Sequence, residues 1–190
     1  MNTNNLNKLL TKLAIITGIV SISAFATAPV RANHHGEMKM STSNKNLVEV
    51  AVGNDSFETL VKAVQAAGLA DTLASGSYTV FAPTDQAFEQ SLPDGALEFL
   101  LKPENRNLLR QVLTYHVVEG KVTSNQLSTG TVDTLYGGVA VRVTPQRVIV
   151  NNASVTNANI SASNGVIHAV NRVLLPQQLR QQIASQLAMQ

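Results

Sequence analysis

Apolar residues in the first half of the chain recur at the spacing of amphipathic helices. From Phe57 to Val64 they fall on one helix face, Asp55 and Glu58 form the pattern of a capping box, and Gly68 suits a left-handed helix end. The same periodicity predicts further helical segments over 69–74, 86–90, 93–101 and 103–113. We therefore expect the first half to be mainly helical.

The second half is richer in β-branched residues and in alternation of apolar with polar positions. Strands are predicted over 77–82, 114–119, 139–144, 147–151, 158–163 and 166–170. Asn164-Gly165 between the last two is a strong hairpin signal, 124–127 reads as one helical turn, and Pro176 opens a final helix. Helices followed by antiparallel strands indicate an α+β fold rather than alternating βαβ units.

The N-terminus has the pattern of a secretory signal peptide. Lys8 and Lys12 precede an apolar run over 13–28, which is short for a membrane span. Small-x-small cleavage sites end at Ala26 and at Ala32, and we favour the cut after Ala32. The expected product is therefore secreted, either periplasmic or extracellular, and carries no membrane span.

Removal of the signal peptide changes the charge balance of the chain. The whole chain has 14 basic and 12 acidic residues, and the cut removes Lys8, Lys12 and Arg31, which leaves 14 − 3 = 11 basic against 12 acidic residues. No basic patch for a nucleic-acid partner is expected from this balance. The chain has no cysteine, which excludes disulfides, thiol nucleophiles and zinc–thiolate sites.

Three stretches of the chain resemble, in order, the landmark stretches of the fasciclin-like domain family. They are Tyr78–Phe88, Leu113–Val118 and Asn164–Pro176, and the segment Asn46–Ala51 resembles the usual start of such a domain. The resemblance implies a wedge-shaped β-sandwich with helices packed in the N-terminal half. It also implies a largely extracellular protein that acts in adhesion and matrix interaction, with no general enzymatic activity.

The expected organisation follows from the signal peptide and from this resemblance. Residues 1–32 form the signal peptide, 33–45 a flexible leader, 46–177 the fasciclin-like domain and 178–190 a C-terminal helix.

The resemblance also suggests a partner-binding segment. Tyr115-His116 matches a dipeptide that animal members use, with apolar neighbours, in integrin binding, and Val117 and Val118 supply such neighbours here. The favoured alternative places Tyr115 and Val117 on one strand face and His116 and Val118 on the other, as ordinary core and rim residues. The family's second adhesion motif needs an acid where this chain has Asn171-Arg172-Val173, and this difference counts against an integrin.

The remaining landmarks are expected to be structural. His168 alternates with apolar residues on a strand, which is typical of a hydrogen-bonded core histidine. Pro83, Thr84 and Asp85 end a strand and begin a helix, where a carboxylate is favourable beside the helix dipole. The other two landmarks, Asn164 and Gly165, belong to the predicted hairpin.

A metal site is conceivable in the leader. After the cut at Ala32 the chain begins Asn33-His34-His35, and a free amine with histidine at the third position can bind Cu(II) or Ni(II) through a square-planar set of nitrogens. Met38 and Met40 offer thioethers to Cu(I). The alternative is a polar tail with incidental histidines, and no other cofactor is expected.

No enzyme motif is present in the sequence. G-x-S-x-G, H-E-x-x-H, the P-loop and G-x-G-x-x-G are all missing. We expect a non-catalytic binding module whose partner is a cell-surface or matrix protein or a glycan. The second hypothesis is a carrier of an apolar small molecule, a lipid or pigment, and an enzyme is the third.

Overall fold

The computed structural model describes residues 44–189 of the chain. The predicted signal peptide, the leader up to residue 43 and the metal site at Asn33, His34 and His35 lie outside the described residues.

Within residues 44–189 the chain forms seven α-helices and a seven-stranded sheet. The helices are α1 Leu47–Val52, α2 Glu58–Ala67, α3 Ala70–Ser75, α4 Asp85–Ser91, α5 Ala96–Leu101, α6 Arg106–Thr114 and α7 Gln177–Leu187. The strands are β1 Tyr78–Pro83, β2 Val117–Glu119, β3 Gly130–Asp133, β4 Gly138–Val143, β5 Val148–Val150, β6 Ala153–Ala162 and β7 Gly165–Val170. Six of the seven helices precede β2, so the α+β prediction is confirmed.

The sheet curves until its two ends meet. Its strand order is β2-β1-β7-β6-β5-β4-β3, and only β1 and β7 pair in parallel, with Tyr78 opposite Gly165. Just after β3, the amide of Leu135 donates a hydrogen bond of 2.9 Å to the carbonyl of Val117 in β2. This bond joins the segment after one edge strand to the other edge strand, so the sheet is nearly a barrel.

The two faces of the sheet bury two separate cores. In β1, Val80 and Ala82 pack against the helices, whereas Phe81 between them points into the curved sheet. We call these clusters the helix core and the barrel core. Strand β7 is buried along its whole length, because Ile167 faces the helix core and Val170 faces the barrel core. A central strand that is buried on both faces typically has a nearly continuous apolar sequence, and β7 has one except for His168.

The helix starts differ from the predicted ones. The capping box forms at α1, where Asn46 accepts hydrogen bonds from the amides of Val48 and Glu49, and Glu49 accepts one from the Asn46 amide. The capping box predicted at Asp55 and Glu58 is wrong. Residues Asp55–Phe57 form a 3-10 turn capped by Asn54, and α2 begins after it.

Other predicted boundaries were confirmed or need correction. Gly68 ends α2 with φ of 66°, as predicted. The strand predicted over 114–119 begins only at Val117, because the hydroxyl of Thr114 bonds to the Arg110 carbonyl and α6 continues through it. Segment 124–127 forms a hydrogen-bonded turn, not a helix. Strand β3 was not predicted, and β6 begins at Ala153, five residues before its predicted start.

Candidate functional site

The segment proposed for partner binding is buried. Tyr115, His116, Val117 and Val118 each expose 6% or less of their surface. The assignment of these side chains to direct partner contact therefore needs correction, because the folded chain offers a partner almost none of their surface.

His116 is held by two backbone groups. Its Nδ1 donates to the carbonyl of Val112 at 2.7 Å, and its Nε2 accepts from the amide of Leu174 at 2.8 Å. Burial lowers the pKa of His116 from 6.5 to about 4, although the hydrogen bond to the Val112 carbonyl acts in the opposite direction. The ring is therefore neutral near pH 7, and both of its nitrogens are used in hydrogen bonds to the backbone.

Tyr115 lies outside the strand and follows the last residue of α6. It packs with Val118 in the barrel core, whereas Val117 packs in the helix core. The predicted pairing of Tyr115 with Val117 on one strand face is therefore wrong. The Tyr115 hydroxyl donates to the carbonyl of Gly138 at 3.1 Å and accepts from Nδ2 of Asn151 at 3.0 Å.

His168 is a fully buried residue of β7. Its Nε2 donates to the carbonyl of Val122 at 2.9 Å, its Nδ1 accepts from the amide of Asn159 at 3.2 Å, and its ring stacks on Phe81 at a centroid distance of 5.7 Å. These two bonds require the proton on Nε2. Burial lowers the pKa of His168, more than the Val122 carbonyl raises it. Neither buried histidine has a ring nitrogen left for a reaction.

Asn164 connects the hairpin to the helices. Its Oδ1 accepts from the amide of Leu47 at 2.8 Å, and its Nδ2 donates to the carbonyls of Leu73 and Gly76, each at 2.7 Å. A single amide side chain therefore joins α1 and the end of α3 to the turn between β6 and β7.

Gly165 is needed for space rather than for the turn. It pairs with Ala162 as the first residue of β7, so the turn itself lies at residues 163–164, one position earlier than the Asn-Gly signal indicates. A Cβ atom on Gly165 would lie 2.1 Å from the carbonyl oxygen of Tyr78. The close approach of β7 to β1 therefore requires glycine.

Pro83, Thr84 and Asp85 link β1 to two helices. Pro83 ends β1, and the hydroxyl of Thr84 accepts from the amide of Ala87 at 3.3 Å, which caps α4. The carboxylate of Asp85 accepts from the amide of Thr59 at 2.7 Å, in the first turn of α2. Asp85 was expected to interact with the N-terminus of its own helix, α4. Its carboxylate also accepts a hydrogen bond from a free amide at the N-terminus of a second helix, α2.

An exposed polar concavity lies along α7. Two adjoining hollows of about 220 Å³ and 710 Å³ share Asn152, Leu175 and Arg180. We call them together the α7 groove, and its principal residues are Gln90, Asn152, Arg172, Leu175, Gln177 and Arg180. The sequence contained no signal for this groove, because its principal residues come from four separate segments.

A second concavity is apolar and small. It lies under α1 and is lined by residues of α1, α2, β1 and β7, including Leu47, Leu60, Val80 and Ile167. Its free volume is about 30 Å³. Sites for drug-sized ligands have volumes of roughly 300–1,000 Å³, so this cavity is far too small for a lipid in the present conformation.

The part of the chain that the structure describes contains no group of three or more metal-ligating side chains. Over the same residues, no helix is long and apolar enough to cross a membrane.

Comparison with known proteins places the chain in a family. The Fasciclin domain family matches residues 55–176. Protein sll1483 of Synechocystis sp. is 50% identical over 136 residues, which cover 70% of this chain and 75% of that protein. Immunogenic protein MPB70 of Mycobacterium bovis is 38% identical over 153 residues, which cover 76% of this chain and 77% of MPB70.

One further relative and one solved structure extend the comparison. Transforming growth factor-beta-induced protein ig-h3 of Sus scrofa is 39% identical over 133 residues, which cover 68% of this chain and 19% of ig-h3. A solved FAS1 domain pair from the insect cell adhesion molecule fasciclin I has the same fold. Its TM-score is 0.64 at 17% sequence identity, with coverage of 72% of this chain and 53% of that one. The chain belongs to the fasciclin domain family.

Proposed function

We propose that this protein is a secreted, non-catalytic binding module that acts in adhesion at the cell surface or in the extracellular matrix. The family match over residues 55–176 is the observation that supports this proposal most directly. The solved neighbour of the same fold is named as a cell adhesion molecule, and a relative 33% identical over 132 residues is named as a cell surface glycolipoprotein.

The buried polar groups support a binding role rather than a reaction. His116 and His168 have lowered pKa values because they are buried, and each has both ring nitrogens bonded inside the fold. A general base must reach a substrate proton, and neither ring is accessible to one.

Binding of the secreted protein to its own cells tests the proposal. Fluorescently labelled protein comprising residues 33–190 is added to producing cells and to their envelope and matrix extract. We expect saturable retention that an excess of unlabelled protein displaces. Retention that rises linearly with concentration, or none at all, would contradict adhesion.

Export and cleavage of the signal peptide are tested by a separate measurement. The intact mass of the protein recovered from the periplasm or the medium should correspond to a chain that begins at Asn33. A mass that retains residues 1–32 would refute the proposed cleavage.

The apolar cavity under α1 favours a second candidate, a carrier of a lipid or pigment. Since its free volume is only about 30 Å³, α1 would have to move away from α2 and β7 to admit such a ligand. Native mass spectrometry of the purified protein distinguishes the two candidates. A stoichiometric apolar ligand would support the carrier, and a ligand-free mass would reject it.

We also propose the Cu(II) or Ni(II) site at Asn33, His34 and His35 of the mature N-terminus. Titration with Cu(II) should produce the visible absorption band of a square-planar nitrogen complex. The His35→Ala variant should lose that band, and an unchanged band would end the proposal.

A further inference from the structure

Two arginines from different segments line the α7 groove. Arg172 follows β7, and Arg180 lies in the second turn of α7. Both are exposed, and among residues 44–189 neither guanidinium has a hydrogen-bonding or ion-pairing partner. A bound anion would therefore not have to displace an internal carboxylate from either arginine.

The rest of the groove has a consistent chemistry. Its polar walls carry uncharged amides at Gln90, Asn152, Gln177 and Gln181, and its apolar surface includes Leu175. No carboxylate occurs among the described residues that line it.

The nearby acidic residues line a neighbouring hollow and not the groove itself. Glu89, Asp94 and Glu98 line this hollow, which is formed by α4, α5 and the loop between them and shares only Leu92 and Pro93 with the groove. The described lining of the groove therefore carries two positive charges and no negative one, although the mature chain as a whole has one more acidic than basic residue.

We propose that the α7 groove binds a carboxylated glycan. A guanidinium matches the geometry of a carboxylate and binds it through two parallel hydrogen bonds. The amides can bond to sugar hydroxyls, and the apolar surface can contact the C–H face of a sugar ring. Two adjoining hollows of about 220 Å³ and 710 Å³ have room for more than one ring.

A glycan fits the groove better than an acidic peptide does. One common mode of peptide recognition uses an open strand edge, which pairs with the peptide backbone. None of the described lining residues belongs to a strand. They come from the end of α4 and the α4–α5 loop, from Tyr115 at the end of α6, from the turn between β5 and β6, from the segment after β7 and from α7.

The expected affinity for a short ligand is modest. Both arginines are exposed, so solvent screens each ion pair, and each contributes at the upper end of the range for surface pairs. We expect each arginine to strengthen binding about five-fold and both to strengthen it roughly twenty-fold. A polymer that engages many copies on a surface would bind more tightly through avidity.

Titration calorimetry with a short oligogalacturonate tests the proposal, which rests on the proposed binding function. Wild-type protein comprising residues 33–190 should bind it, with an affinity that falls as salt is raised. The Arg172→Gln/Arg180→Gln variant should bind about twenty-fold more weakly. The matched control, Arg142→Gln/Arg147→Gln, loses the same charge outside the groove and should bind like wild type.

Two further ligands define the chemistry. Methyl-esterified oligogalacturonate, which lacks the charge, should bind as weakly as the groove variant does, and poly-glutamate should not bind at comparable concentration. Equal binding of the ester, tighter binding of poly-glutamate, or equal losses in the two arginine variants would overturn the proposal. Thermal unfolding monitored by circular dichroism verifies that both variants are folded.

The cell-binding experiment separates failure of this inference from failure of the proposed function. If wild type binds cells saturably but no carboxylated glycan, the groove proposal is wrong and the binding function stands. If wild type binds the glycan but not the cells, adhesion is wrong and the groove site stands.

Discussion

Tyr115 lies at the edge of the α7 groove, and the polar groups around it differ from the two arginines of the groove in whether they are hydrogen-bonded inside the domain. The Tyr115 phenol bonds to the Gly138 carbonyl and the Asn151 side-chain amide. The His116 ring bonds to backbone groups of Val112 and Leu174. In the groove, the guanidiniums of Arg172 and Arg180 face solvent without partners among the described residues. Polar groups bonded internally support the fold, whereas unbonded charged groups in a hollow can bind a ligand.

Two asparagines provide the largest test of this comparison. Asn164→Ala removes the partners of the Leu47 amide and of the Leu73 and Gly76 carbonyls, so we expect the free energy of unfolding to fall by about 3–5 kcal/mol. Asn152→Ala in the exposed groove should change it by less than about 0.5 kcal/mol. Urea unfolding of both variants measures the difference, and similar losses would contradict the comparison.

The buried histidines predict a dependence on pH. Since His116 has a pKa of about 4 in the fold and 6.5 when unfolded, the unfolded chain binds more protons between these values. The contribution of neutral His116 is complete above pH 6.5 and is lost as the pH falls toward 4, a change of about 3 kcal/mol. His168 acts in the same direction, because its pKa is also lowered.

Unfolding of wild type and His116→Leu at pH 7 and pH 4.5 measures this effect. The variant should be less stable at pH 7, because the Val112 carbonyl and the Leu174 amide lose their partner, but its stability should fall less on acidification. Identical pH dependence in the two proteins would show that His116 does not titrate as described.

Two tyrosines test the comparison at the level of one hydroxyl. Tyr115→Phe removes a hydroxyl with two partners in the barrel core and should lower the free energy of unfolding by about 1–2 kcal/mol. Tyr136→Phe removes an exposed hydroxyl that lies 3.5 Å from Gln111 and should have almost no effect. Thermal unfolding of both variants should show this order, and the reverse order would place the supporting contact at Tyr136.

The smallest stability effect is expected in the groove itself. Arg172→Gln/Arg180→Gln breaks no hydrogen bond or ion pair between described residues, so its free energy of unfolding should stay within about 0.5 kcal/mol of wild type. A larger loss in urea unfolding would mean that these arginines support the fold rather than bind a ligand.

Local signals predicted several elements well. Gly68 ended α2 as predicted, because a left-handed helix end has a nearly unique residue requirement. The strand over 114–119 failed because Thr114 suits a strand by propensity but bonds back to its own helix. Strand β3 was missed because it is a short edge strand, mostly exposed, whose apolar pattern is weak.

The sequence by itself determined the family, the α+β order and the core position of His168 on a strand, because helix periodicity, strand alternation and landmark residues are local along the chain. Tertiary structure alone decided that Asp85 caps a second helix and that Gly165 is required by Tyr78. It also decided that Arg172 and Arg180 share a groove. Each of these contacts involves residues that are far apart along the chain. The residues come close to one another only when the sheet curves and α7 packs against the domain.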